Sequence, residues 1–182
     1  EDEKKISSEI KNLKRIEDKV SSKVRKQYEE HPYPRWVNLS LRIQSKSISS
    51  YAKELKLKIF EESLYKVTKP KILIAGCGTG QNSIGTASIF SNSNVLAIDL
   101  SLKSLSYAER KTKELKISNI KYMQADILDL QLINQKFDII ESSGVLHHMK
   151  NPLAGWKVLA NCLKPTGLMR IALYSKTARR NI

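Results

Sequence analysis

The hydrophobic pattern of this chain changes character near residue 71. From there on, short and continuously apolar runs alternate with helix-compatible stretches of about a dozen residues. The predicted strands are 72–75, 95–98, 120–123, 137–140 and 168–173, and the predicted helices are 81–90, 101–115 and 152–163. Apolar strands separated by helices are typical of βαβ units. We therefore expect an α/β fold built on a doubly wound parallel sheet with helices on both faces.

The first seventy residues have a different pattern. Apolar residues recur at steps of three or four from Ile6 to Tyr28, which predicts one amphipathic helix over 1–28, and a second helix is predicted over 47–62. The prolines of the His31–Trp36 segment end the first helix, because proline disfavours helical backbone at and before its own position. We expect an N-terminal helical segment with a cleft-covering linker over 1–70 and a core domain over 71–182.

Composition excludes several classes of protein. A chain of 182 residues with 41% hydrophobic and 27% charged residues is globular rather than disordered. Apolar runs are far shorter than the ~18 residues of a membrane helix, and the first residues do not form a signal peptide. Two cysteines, Cys77 and Cys162, form no CxxC pair and cannot build a disulfide scaffold. A cytoplasmic protein without membrane insertion is expected.

The formal charge of +14 at pH 7 reflects 32 basic and 18 acidic side chains. Such a balance occurs in nucleic-acid-binding proteins. Here the excess is spread over both halves of the chain and comes mostly from lysine, as on ordinary solvated surfaces. A nucleic-acid partner stays open but is not favoured.

The sharpest motif follows the first core strand and reads Gly76-Cys77-Gly78-Thr79-Gly80. Alternate glycines permit positive φ angles and let a ligand approach the main chain closely. A dinucleotide-binding fingerprint would require a third glycine at position 81, which is Gln81, so a nicotinamide dinucleotide is disfavoured. The motif predicts a nucleotide site at the carboxyl end of this strand.

Carboxylates end the next two predicted strands. Asp99, followed by Leu100 and Ser101, lies where a carboxylate accepts hydrogen bonds from the ribose hydroxyls of a nucleoside, although an N-cap or turn role is the alternative. Asp126 is placed to accept from an adenine amino group, with Ile127 against the ring face, and its alternative is an exposed loop residue. Both positions belong to the same edge of the sheet.

The fourth strand leads into a segment that should form the floor of the cleft at the point where the strand order reverses. Consecutive histidines cannot both face the cleft in regular geometry, and no acidic or histidine cluster has metal-ligand spacing, so we expect no metal site. The cleft-lining candidates are Ser142, Ser143 and Gly144, and the candidates for a catalytic base are Glu141, His147 and His148.

The glycine motif, Asp99, Asp126 and residues 137–148, in this order and spacing, resemble class I S-adenosylmethionine-dependent methyltransferases of Rossmann-like fold, over roughly 71–174. The segment 28–36 and the sequence 173–175 resemble a branch joined to tetratricopeptide repeats, which includes bacterial lysine methyltransferases of outer-membrane proteins. The resemblance implies S-adenosylmethionine as cofactor. It places residues 76–80 at the methionine and ribose, Asp99 at the ribose, and residues 126–127 at the adenine.

The sequence departs from that family pattern in two places. Ile74 stands where an acidic residue usually organises the methionine end of the cofactor, and Tyr28 and Arg35 are candidates to replace it. The strand over 168–173 is the fifth where the family has seven, and it leaves an apolar edge. We expect a fold incomplete after strand five, with the edge covered by the rest of a longer chain or by a partner strand.

The expected activity is methyl transfer from S-adenosylmethionine, with lysine side chains of a protein as the acceptors. RNA and small-molecule methylation stay open as alternatives, because the charge invites nucleic acid and a fold does not fix a substrate. A further alternative is a cofactor-binding module or an inactive fragment of a larger methyltransferase.

Overall fold

A parallel sheet of six strands forms the centre of the protein. The computed structural model describes residues 2–41 and 44–175, so Glu1 and residues 176–182, which the predicted first helix and core domain include, lie outside the described residues. The strand order is β1-β4-β3-β2-β5-β6, and all neighbouring pairs are parallel. The strands are β1 (Lys11–Asn12), β2 (Lys71–Ala75), β3 (Asn94–Asp99), β4 (Ile120–Gln124), β5 (Phe137–Ser143) and β6 (Leu163–Ala172).

Helices cover both faces of this sheet. The α-helices are α1 (Asp2–Glu9), α2 (Lys19–Glu30), α3 (Ile48–Glu54), α4 (Gln81–Ile89), α5 (Leu102–Glu114) and α6 (Pro152–Cys162). Short 3₁₀ turns span Glu62–Lys66, Ile127–Ile133 and Leu146–His148. The doubly wound parallel α/β fold and the five strands and three helices predicted after residue 71 are thereby confirmed, with ends shifted by a few residues.

Strand β2 shows why its sequence is apolar throughout. Ile72 and Ile74 pack on one face with residues of α4 and α5, whereas Leu73 and Ala75 pack on the other face with residues of α6. A strand that is buried on both faces needs apolar side chains at every position rather than at alternate ones. The chain leaves β2 towards β3 and β4, then returns to its other side with β5, so the strand order reverses between β2 and β5.

The single helix predicted over 1–28 is wrong. The chain forms α1, then β1, then α2, and β1 pairs with the edge of β4, where Leu13 N–H also donates to Gln124 O. Ile10 and Leu13 contact the two cores on opposite faces of the sheet, so the helical spacing arises from a strand and its flanks. Asp18 caps α2 by accepting from the N–H groups of residues 20 and 21.

The helix predicted over 47–62 is also longer than the observed one. Helix α3 is capped by Ser47 and ends at Glu54, and Lys56 follows in a left-handed conformation with φ of 53°. A continued helix would require a buried face beyond this point, but Phe60 is 94% exposed. The backbone therefore leaves the helix and re-enters a 3₁₀ turn at Glu62.

The two edges of the sheet differ. β1, with two residues, flanks β4, whereas β6, with ten residues, pairs within the described part of the chain with β5. The strand predicted as the fifth is thus the sixth in chain order and begins earlier than expected, at Leu163. None of the helices in the described ranges has the length and apolar character needed to span a bilayer.

Candidate functional site

A cleft of about 470 Å³ lies at the carboxyl ends of β2, β3, β4 and β5. This is where the strand order reverses, and such switch points are the usual ligand sites of open α/β sheets. The floor is formed by loops that follow the four strands, and helix α2 with Tyr33 and Pro34 forms the opposite wall. The glycine loop is central to this arrangement.

The glycines of that loop have separate roles. Gly76, Gly78 and Gly80 all have positive φ, of 79°, 52° and 90°. Gly76 and Gly78 line the cleft, and a Cβ on Gly78 would lie 3.1 Å from the carbonyl oxygen of Tyr33. Gly80 is the N-cap of α4 and does not line the cleft; a Cβ there would lie 2.6 Å from the Cβ of Ala108 on α5.

Asp99 connects the glycine loop to strand β3. Its carboxylate accepts hydrogen bonds from Gly78 N–H at 2.8 Å and from Ser101 N–H at 2.9 Å. Burial raises the pKa of this carboxyl above its ordinary value, and the backbone N–H donors oppose that rise only in part. Asp99 and Leu100 line the cleft, whereas Ser101 is buried and caps α5.

Asp126 both caps a 3₁₀ turn and lines the cleft. One carboxylate oxygen accepts from Leu128 N–H at 3.0 Å. The residue is buried and lies between Ala125 and Ile127, which line the same wall. The alternative of an exposed loop residue is therefore wrong, and because one oxygen serves as the cap, the other is left for a ligand.

The segment from Tyr33 to Trp36 is fixed across the glycine loop. Trp36 is buried and its indole N–H donates to the carbonyl oxygen of Thr79 at 3.1 Å, while the Thr79 hydroxyl donates to Pro34 O. Tyr107 on α5 donates to Trp36 O and packs edge-on against its ring. Thr79 is consequently a buried anchor, and Arg35 is exposed and does not line the cleft.

Residues at the end of β5 differ in whether they line the cleft. Ser143 and Gly144 line the cleft, and Ser142 is buried without lining it. The carboxylate of Glu141 does not itself line the cleft, and it accepts hydrogen bonds from Asn82 and Thr86 on α4. Among the predicted catalytic candidates, Glu141 is therefore not placed on the cleft.

Of the two consecutive histidines, His148 lines the cleft and His147 does not. The His148 ring meets Tyr28 edge-on at 6.4 Å between centroids, and the His147 ring packs at 4.1 Å against Tyr174. Burial raises the pKa of the Tyr28 phenol, with Asp99 and Tyr174 adding to the rise, so Tyr28 is neutral at physiological pH. Aromatic side chains thus form one end of the cleft.

Several cleft residues were not identified from the sequence. Ser21 and Val24 lie with Tyr28 on one face of α2, and their spacing of three and four residues is the signal that could have revealed them. Gln81 and Asn82 follow the glycine motif directly, at the start of α4. Met149 and Tyr174 reach the cleft only through the tertiary fold.

Within residues 2–41 and 44–175, no group of three His, Cys, Asp or Glu side chains has a geometry that could hold a metal ion. Cys77 lines the cleft but is buried, and burial raises the pKa of its thiol well above the ordinary value. A thiol in this state is a poor nucleophile. The polar groups that line the cleft include backbone amides, carboxylates, the side-chain amides of Gln81 and Asn82, serine and tyrosine hydroxyls, and the imidazole of His148.

Comparison with known proteins identifies the fold. The family described as a methyltransferase domain matches residues 72–167, which is more than half of the chain. The structure of PKMT2 from Rickettsia typhi in complex with AdoHcy is similar with a TM-score of 0.51 and 30% identity, over 56% of this chain and 20% of that chain. The Rossmann-like methyltransferase fold expected from the sequence is confirmed.

Curated relatives are similar over shorter parts of their length. An uncharacterized protein from Synechococcus is 33% identical over 63% of this chain and 28% of its own length. (S)-coclaurine N-methyltransferase from Papaver somniferum is 32% identical over 54% of this chain and 28% of its own length. The chain therefore spans little more than a quarter of each of these two relatives.

Proposed function

This chain belongs to the family of S-adenosylmethionine-dependent methyltransferase domains, and we propose that it transfers the methyl group of that donor to lysine side chains of a protein substrate. The observation that carries the proposal is the joining of two features in one cleft. The floor of the cleft has the features of an adenosine site, because the glycine loop is hydrogen-bonded to Asp99. The aromatic side chains of Tyr28, Tyr33 and Tyr174 line the same cleft. S-adenosylmethionine is the cofactor of the family, and PKMT2 of similar fold is in complex with AdoHcy.

The residues of the floor fit the donor chemically. Asp99 is a buried carboxylate whose described hydrogen bonds come from backbone N–H groups, and ribose hydroxyls would supply further donors to it. Asp126 and Ile127 would hold the adenine amino group and ring. Gly76 and Gly78, where positive φ favours glycine, add no side chain to this part of the cleft.

When bound, S-adenosylmethionine supplies a methyl group on a positively charged sulfur. The work of the protein is then mainly alignment, which contributes up to ~7–11 kcal/mol for well-oriented reactants. Two segments hold the two sides of the cleft at a fixed separation. One is the segment from Tyr33 to Trp36, here called the cover, which is hydrogen-bonded to Thr79, and the other is the loop from Ser143 to Gly144.

A lysine amine must lose a proton before it can accept a methyl group. With an ordinary pKa near ~10.4, this costs about 4.6 kcal/mol at pH 7. An apolar, aromatic wall reduces that cost because desolvation disfavours the ammonium form. The rings of Tyr28, Tyr33 and Tyr174 line the same end of the cleft as His148, and His148 is our candidate for the base that takes the proton.

The protein acceptor is supported by the resemblance of residues 28–36 and 173–175 to bacterial lysine methyltransferases, and by the similarity to PKMT2 of Rickettsia typhi, which is 30% identical to this chain over the aligned part. RNA and small molecules stay alternatives, as do a cofactor-binding module and an inactive fragment. The remaining site assignments (Cys77, Leu100 and Arg35 among them), the domain boundary at residues 70–71 and the cytoplasmic location stay predictions. So does coverage of the β6 edge by a partner segment.

The test is a methyl-transfer assay with tritiated S-adenosylmethionine. Acceptors are a bacterial outer-membrane protein preparation, the same preparation with its lysine amines acetylated, and total RNA. We expect label in the untreated protein alone, and mass spectrometry should locate the methyl groups on lysine. Label in RNA, or equal label in acetylated protein, contradicts the lysine assignment. Binding of the donor without transfer to any acceptor favours the module or fragment.

A further inference from the structure

Glu141 is a buried carboxylate that the proposed mechanism leaves unused. It lies on β5, which is flanked by β2 and β6, and its side chain is 10% exposed. Burying a carboxylate is costly unless it is hydrogen-bonded or paired. The partners of this carboxylate therefore indicate its role.

The hydrogen bonds of Glu141 lead to the cleft. Its Oε2 accepts from the Asn82 side-chain amide at 3.1 Å, and its Oε1 accepts from the Thr86 hydroxyl at 3.2 Å. Arg170 also contacts Oε2, at 3.3 Å, but the Arg170 side chain is 63% exposed and solvent screens that pair. Asn82, in contrast, lines the cleft wall next to Gln81.

This contact fixes the orientation of the Asn82 amide. An ionised carboxylate can only accept hydrogen bonds, so Asn82 must present its NH₂ group to Glu141. The carbonyl oxygen of Asn82 is then the polar atom left to face a ligand in the cleft. That oxygen is an acceptor, and it suits a positively charged donor group.

The position along the cleft indicates which part of the donor this would be. The cleft runs across β4, β3, β2 and β5 in spatial order. Asp126 follows β4 and Asp99 ends β3, so the adenosine occupies that half. Asn82 lies in the first turn of α4, on the other side of the glycine loop, where the amino-acid tail of the same molecule must lie, and that tail carries an ammonium group.

Glu141 also lies beside the residue at which the family pattern has an acid. Ile74 on β2 and Glu141 on β5 are register partners in the parallel sheet, so their side chains lie on the same face. Of the two substitutes expected from the sequence, Tyr28 lines the cleft from α2, and Arg35 does not line it. The Glu141 carboxylate thus lies on the strand next to position 74.

From these contacts we infer that Asn82 binds the α-ammonium group of the methyl donor and that Glu141 is the positioning residue that orients it. The inference rests on the proposed function, because it concerns the donor's own cleft. In this arrangement, the buried carboxylate of Glu141 on β5 orients the neutral side-chain amide of Asn82 on α4, and the amide contacts the donor.

The test measures binding by calorimetry with three ligands. S-adenosylhomocysteine carries the ammonium, its deaminated analogue has hydrogen in place of the amine, and 5′-methylthioadenosine lacks the amino-acid tail. The variants are Asn82→Leu, Glu141→Leu and Glu141→Gln, with Asn92→Leu as a control, since Asn92 is exposed and binds Thr68 O outside the cleft. Thermal melting confirms that each variant is folded at the temperature of the titration.

We expect Asn82→Leu and Glu141→Leu to weaken S-adenosylhomocysteine by about tenfold or more, as for loss of a hydrogen bond to a charged group. Binding of 5′-methylthioadenosine and of the deaminated analogue should stay unchanged, so the preference for the amine disappears. Glu141→Gln, which keeps an acceptor for Asn82, should recover part of the affinity. The control should match the unmodified chain.

Two outcomes overturn the inference, and they are distinguishable from failure of the proposed function. If the variants weaken the binding of all three ligands equally, the two residues are merely structural, although the cofactor assignment stands. If the variants leave the binding of all three ligands unchanged, the ammonium is bound elsewhere. If the unmodified chain binds none of the ligands, the proposed function itself fails, and this inference fails with it.

Discussion

The backbone N–H of Gly78 donates a hydrogen bond of 2.8 Å to the carboxylate of Asp99, which joins the glycine loop to the end of strand β3. Because Asp99 also accepts from Ser101 N–H, one side chain sets the positions of two loops that border the cleft. A ligand that engages Asp99 therefore meets a floor that is already assembled.

Replacing Asp99 with Asn should weaken the binding of 5′-methylthioadenosine about tenfold to a hundredfold, because a charged acceptor of ribose hydroxyls becomes neutral and presents an NH₂ group. Calorimetry measures the change. Asp129→Asn is the matched control, because Asp129 lies on the neighbouring 3₁₀ turn and contacts Lys14 at 3.7 Å outside the cleft. Equal affinities for the Asp99 variant and the unmodified chain would contradict the ribose role.

Asp99 should also make stability depend on pH. Burial raises its pKa in the folded chain above the ordinary value of 3.8, so the folded state holds this proton more tightly than the unfolded state. The contribution of Asp99 to the free energy of unfolding is therefore largest below pH 3.8 and decreases as pH rises from 3.8 through the raised pKa. Urea titrations from pH 3.5 to 7 check this.

In that experiment the informative quantity is the difference between the unmodified chain and Asp99→Asn. The unmodified chain should lose stability relative to the variant as pH increases across the window. Other carboxyl groups titrate in both proteins and cancel in the difference. A constant difference over this range would mean that folding leaves the Asp99 pKa unshifted.

Replacing Gly80 with Ala should destabilise the fold, whereas the same substitution at Gly85 should not. In Gly80→Ala the new Cβ lies 2.6 Å from the Cβ of Ala108 at a φ of 90°, and we expect a loss of about 1–3 kcal/mol in the free energy of unfolding. Gly85→Ala, inside the same helix α4 with open space around its Cβ, should gain about 0.5–1 kcal/mol. Urea denaturation measures both, and a mild effect at Gly80 would show that α5 can move aside.

Trp36→Phe should loosen the cover over the glycine loop. The substitution removes the indole N–H that donates to Thr79 O and leaves that buried carbonyl without this donor, which costs about 1–3 kcal/mol. We expect lower stability and faster release of S-adenosylhomocysteine in stopped-flow fluorescence. Val37→Ala, at a side chain 74% exposed, should change neither quantity appreciably. An unchanged release rate in Trp36→Phe would mean that the cover does not retain the ligand.

His148→Gln should lower kcat for lysine methylation by about a hundredfold or more while leaving S-adenosylhomocysteine affinity near its original value, as for loss of a general base. His31→Gln serves as the control, because His31 is exposed and does not line the cleft. Activity that persists in His148→Gln with an unaltered pH profile would assign the proton transfer to another group or to water.

Features that depend on short-range sequence were predictable. The apolar runs of β2 and β5 specify strands buried on both faces, and the glycines at 76, 78 and 80 specify a tight loop in the left-handed region of φ. Asp99 and Asp126 follow their strands directly, so their place at the carboxyl edge follows from the parallel topology alone. Each of these features can be predicted from a short stretch of neighbouring residues.

The rest was decided by contacts between distant segments. Strand β1 has two residues and exists because the edge of β4 has free backbone groups, which no local pattern of residues 1–28 reveals. The orientation of Glu141 towards Asn82 and Thr86 depends on which face of the sheet receives α4. Local sequence patterns were therefore enough to predict the sheet, the glycine loop and the two carboxylates. Which side chains reach the cleft depended on long-range packing, because a one-residue step along a strand moves a side chain to the opposite face.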